Sequence, residues 1–127
     1  MKSINLILIF VFSLFVSCNT SDDIGENNCD VENPIADLDW LESKIAELET
    51  SDSPNAQYFY VSQAEYNNKT VFIFGNCCPL CNTVLPVYDC EGTSLGIVGT
   101  RDQDIDWSIM DDDIIIWSPS NFECTDD

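Results

Sequence analysis

Apolar positions along the chain change their spacing several times, and each change predicts an element. Ile4 to Val16 is an apolar run broken only by Asn5 and Ser13, with Lys2 ahead of it. It is too short to span a bilayer comfortably, and a positive n-region before a short apolar core predicts a secretory signal peptide over 1–17. Residues 18–34 are polar and acidic, with too little apolar surface to order themselves, and read as a tether. Leu38, Leu41, Ile45 and Leu48 then recur at helical spacing, with charged residues between them and Trp40 beside the stripe. This predicts a helix from about 38 to 49, capped by Asp37 and stopped at the TSDSPN turn.

From residue 56 onward the period shortens. AQYFYVSQAEY and TVFIF, joined across Asn67-Asn68, predict a hairpin. Val84 to Tyr88 predicts a short strand that Pro86 assigns to an edge or a bulge. Ser94 to Val98 predicts another, and Ile114 to Trp117 a short buried one. A helix followed by antiparallel strands gives an α+β fold, with one N-terminal helix packed on a small antiparallel sheet in a single domain over 35–127.

Composition sharpens this picture. Removal of residues 1–17 would leave 110 of the 127 residues, with three basic side chains (Lys44, Lys69, Arg101) against 23 acids, a net side-chain charge of −20. Such a field repels nucleic acid and favours cations or basic partners, although a solvated acidic surface needs no ligand. A domain this small has a modest core, and cysteine compensates. Besides Cys18 the chain carries Cys29, Cys77, Cys78, Cys81, Cys90 and Cys124.

An even number of cysteines in an exported domain predicts three disulfides, with about 15 pairings open. The adjacent Cys77 and Cys78 suit partners on opposite faces of a strand. They are expected to reach Cys29 and Cys124, with Cys81 and Cys90 closing a local loop. Cys78-Pro79-Leu80-Cys81 has the spacing of a thiol–disulfide oxidoreductase pair, but that chemistry wants a helix after the first thiol, and the VLPVY that follows looks extended. A zinc site of Cys77, Cys78, Cys81 and Cys90 is disfavoured by the oxidising compartment, and the chain has no histidine.

Asp102, Asp104 and Asp106, with Asp113, fall at calcium-loop spacing. Trp107 stands where glycine is needed, however, and simple alternation explains the stretch, with the aspartates outward and Ile105, Trp107 and Ile109 inward. Without histidine there is no Ser-His or Cys-His pair, and 110 residues rarely supply a sugar-hydrolysing cleft. Tyr58, Phe59, Tyr60 and Tyr66 could stack on a glycan or peptide, but alternation on a strand accounts for them.

Phe15-Val16-Ser17-Cys18 resembles the lipobox of bacterial lipoproteins. That resemblance implies cleavage before Cys18, a diacylglycerol on its thiol, a palmitate-bearing membrane anchor, and an outer-membrane location. Ser21-Asp22-Asp23 resembles the acidic export signal of Bacteroidota lipoproteins, which implies display at the cell surface. FGNCCPLC, VYDCEG, IIIW and a closing cysteine resemble a family of small Bacteroidota lipoproteins across residues 37–124. That likeness implies no catalytic residues. The expectation is a non-catalytic, disulfide-stabilised surface lipoprotein with no cofactor, whose partner is a basic protein or a glycan.

Overall fold

The computed structural model describes residues 29–99 and 105–124. The signal peptide expected over 1–17, Cys18 with its lipobox, tether residues 19–28, and Asp102 and Asp104 lie outside the described residues.

The order is a short helix α1 (Pro34–Asp37), helix α2 (Asp39–Glu49), a 3-10 turn at Ala56–Tyr58, strands β1 (Phe59–Tyr66), β2 (Lys69–Asn76), β3 (Leu85–Tyr88) and β4 (Ser94–Val98), a 3-10 turn at Trp107–Met110, and β5 (Ile114–Trp117). The strands form one antiparallel sheet in the order β4-β3-β2-β1-β5. Asn67 and Asn68 turn the β1–β2 hairpin with φ of 52° and 59°, closing on the pair Tyr66 and Lys69. Both asparagines take the left-handed conformation that a two-residue hairpin turn demands.

Each face of the sheet buries a separate cluster. On one face Leu41 and Ile45 of α2 meet Val61 and Phe72, with Trp40, Leu48, Phe74 and Trp117 around them. On the other face Ala64, Val71, Ile73, Leu85, Val87 and Val98 are covered by Ile105 and Ile109. The chain reaches that second face by turning beside β4: the Ile105 amide donates to the Ile97 carbonyl (2.8 Å), and the Gly99 amide donates to the Ile105 carbonyl (3.0 Å).

Several local expectations change. Asp37 does not cap α2, whose N-cap residue is Leu38 with no side-chain bond. The Asp37 carboxylate instead accepts from the Asn33 amide at 2.9 Å, closing the start of α1, where Pro34 supplies a preset φ. Pro86 sits in an interior strand and not on an edge, one residue before an irregularity at Val87/Tyr88 in the pairing with β4. It avoids a missing ladder bond because β2 pairs only with Val87 and Tyr88, leaving the Leu85–Pro86 half to pair with β4 alone. Trp107 is 49 % exposed rather than inward, because residues 107–110 form a 3-10 turn and not an alternating strand; Ile105 and Ile109 do point inward. β5 is an edge strand rather than a buried one, with Ile114 and Ile115 at 68 % and 45 % exposure.

Candidate functional site

Sulfur chemistry comes first, since six cysteines are described and all are bonded. The pairs are Cys29–Cys90, Cys77–Cys124 and Cys78–Cys81, with Cα separations of 5.5, 5.8 and 5.3 Å. The link from Cys77 to Cys124 is one of the two expected for the adjacent pair. The other two expectations are corrected: Cys81 joins Cys78, not Cys90, and Cys90 joins Cys29. The reason lies in the turns. After β2 the Cys81 amide donates to the Cys78 carbonyl at 3.3 Å, so four residues fold into one tight turn that brings their own sulfurs together. Cys90 belongs to a different turn, which the sheet carries away from Cys81 to the end of β3 nearest the β1–β2 hairpin.

That second turn is built around Asp89. Its Oδ1 accepts the amides of Glu91 (3.0 Å) and Thr93 (2.8 Å), while Gly92 takes a φ of 78°. Trp40 holds the turn from above. Its indole N–H donates to the Cys90 carbonyl at 2.8 Å, and its ring lies where a side chain on Gly92 would begin. Trp40 also packs edge-on against Phe72 and tilted against Tyr88, and the Lys44 ammonium lies 5.5 Å from the Tyr88 ring centre. Sequence spacing placed Trp40 at the border of the helix stripe but could not show that it clamps a turn fifty residues away.

Beside the Cys29–Cys90 bond lies a groove of about 460 Å³ lined in part by Asp30, Tyr66, Lys69, Asp89, Glu91 and Leu95. It sets one cation among three carboxylates, and one of those acids, Asp89, also shapes the turn. Nothing in the sequence marked it, because its walls come from the N-terminal segment, the β1–β2 hairpin and the β3–β4 turn.

The aromatic candidates are accounted for largely within the fold. Tyr60 lies over Gly75, where any side chain would collide with its ring, and meets Phe122 edge-on at 6.2 Å. Burial, with the Asp113 carboxylate adding to it, pushes the Tyr60 hydroxyl above its ordinary pKa. Tyr66 packs against the cluster opposite α2. Of the calcium-loop aspartates that are described, Asp106 accepts the Ser108 amide at 2.9 Å, and hydrogen bonds from Ser108 hold its carboxyl below the usual range. Asp113 instead acts through its charge on the Tyr60 hydroxyl. These two carboxylates serve separate local roles. Among the described residues no group of three or more acidic, cysteine or histidine side chains converges to hold a metal ion. Cys77, Cys78, Cys81 and Cys90, the alternative zinc ligands, are divided among three disulfides. No helix among the described residues is long and apolar enough to cross a membrane. The chain matches no protein-family model, no curated protein and no solved structure.

Proposed function

We propose that the protein is a non-catalytic, disulfide-stabilised lipoprotein domain of α+β fold, held on the outside of a Bacteroidota-type outer membrane by lipid on Cys18, with a binding or structural role. One observation carries this reading. Six of the seven cysteines take each other as partners, so Cys18 is the odd one, and it closes the apolar run where a lipobox cysteine stands. Cys29–Cys90 and Cys77–Cys124 tie the two ends of the described chain to the middle of the sheet, as a display module facing an oxidising exterior requires. The acidic composition fits a basic protein partner, or a glycan met through surface polar groups, and not nucleic acid. Metabolic labelling with a radioactive fatty acid tests it: the protein takes up label, and Cys18→Ala abolishes uptake. A wild-type chain that stays unlabelled in a lipoprotein-processing host defeats the reading.

A second reading has its own observation. Cys78 and Cys81 bond to each other, as a dithiol enzyme in its oxidised form would have them, beside a Leu80 that is 96 % exposed. Against it, no helix begins at Cys78. The turn runs through 82–84 into β3, so the pair does not sit at the helix N-terminus that such enzymes use to activate the first thiol. Turnover of a model disulfide such as insulin by the protein and a dithiol separates the two readings. Catalytic turnover lost in Cys78→Ser supports the enzyme, and the absence of turnover supports the staple.

A further inference from the structure

Sheets have two edges, and this one treats them differently. The outer side of β4 is taken by its own chain: Val98 bridges Ile105 in parallel, and the Ile105 amide and carbonyl are spent on Ile97 and Gly99. The outer side of β5 has no strand beside it among the described residues. Edge strands are commonly guarded by a lysine, a proline or an inward charge, because unpaired amides and carbonyls recruit other chains. β5 reads Ile114-Ile115-Ile116-Trp117; it is short and pairs across a bulge, but it carries no lysine, proline or charge.

Its side chains are apolar on both faces. Ile114 lies opposite Gln63, and Ile115 opposite Ser62. The bulge at Val61/Ser62 turns Ile116 and Trp117 into the cluster under α2 and leaves Ile114 and Ile115 in solvent. Immediately ahead of this edge stand Asp111, Asp112 and Asp113, the first two exposed.

We infer that the outer edge of β5 is a docking edge for an extended segment of another protein, one that carries β-branched residues followed by lysine or arginine and adds to the sheet as a sixth strand. The backbone ladder would supply affinity, Ile114 and Ile115 would contact alternate side chains, and the aspartates would fix direction by meeting the basic end. Charge selects this occupant over a second copy. The chain carries 23 acids against four basic residues, so two copies repel, whereas a basic segment is attracted. The inference deepens the binding role proposed above and does not depend on the lipid.

The test titrates the disulfide-bonded protein with a synthetic peptide that alternates valine and threonine and ends in a lysine run, following backbone amides by NMR and hydrogen exchange. The expected result is binding that weakens with added salt, with shifts and new amide protection centred on residues 114–117. Ile114→Lys, at a position exposed enough to leave folding intact, should weaken binding by at least about tenfold. Asp111→Asn with Asp112→Asn should lower affinity and flatten the salt dependence. Three results overturn the inference: equal binding of a peptide ending in glutamates, shifts that map to α2 or the Cys29–Cys90 groove, or sedimentation showing a dimer that Ile114→Lys dissolves. A protein that ignores the lysine peptide while Cys18 takes lipid and the disulfides stay inert also overturns it, and spares the wider reading.

Discussion

Ser62 shows what a single residue can hide. Its side chain is fully buried between Ile73 and Ile115, and its hydroxyl has no hydrogen-bond partner among the described residues. A buried hydroxyl without a partner costs desolvation and returns nothing. Ser62→Ala is therefore expected to leave stability unchanged or raise it by up to about 1 kcal/mol, read from chemical denaturation. Tyr60 gives a pH dependence. Its folded pKa is raised above the ordinary 10.0, so the folded state holds the proton more tightly than the unfolded chain. Its contribution is fully present below pH 10.0 and is lost as pH rises through the higher folded value. Melting temperature measured across alkaline pH should fall in the wild type, and Tyr60→Phe should flatten that fall. The alternation of β1 was readable from sequence. That Tyr60 covers Gly75, and that Ser62 lands in a dry position, depended on which strands came to lie on either side of β1.

The elements divide into those that local chemistry decides and those that need a neighbour. The α2 stripe and the Asn67-Asn68 hairpin were legible because spacing and backbone preference act within a few residues. β5 was legible as a strand, but not as an edge, since its four apolar residues fit a buried or an exposed setting equally well. Trp40 links these levels: it belongs to α2 by sequence and to the Asp89 turn by contact. Trp40→Ala should cost about 3 kcal/mol through lost aromatic packing and the lost bond to the Cys90 carbonyl. Trp40→Phe should recover most of the packing and none of the hydrogen bond. Hydrogen exchange of the Glu91 and Thr93 amides, which Asp89 holds, reports whether the turn loosens with it.

At the scale of the whole molecule the three disulfides are unequal. Cys29–Cys90 and Cys77–Cys124 span sequence separations of 61 and 47, and Cys78–Cys81 spans 3. If they act by restricting the unfolded chain, removing either long bridge should cost about 4 kcal/mol and removing the short one about 2 kcal/mol. Paired Cys→Ser variants followed by urea denaturation check that order, and an equal loss for all three would show that native packing, not loop closure, sets their worth. Taken by itself, the sequence determined what depends on near neighbours and on composition: the helix, the hairpin, most strand positions, an acidic character, and six cysteines suited to pairing beyond an apolar N-terminal run. Only the tertiary structure decided which sulfur meets which, that Trp40 clamps a distant turn, and which edge of the sheet has no strand beside it among the described residues. Those outcomes follow from strand order, which brings together residues tens of positions apart, and no local spacing records where such residues will meet.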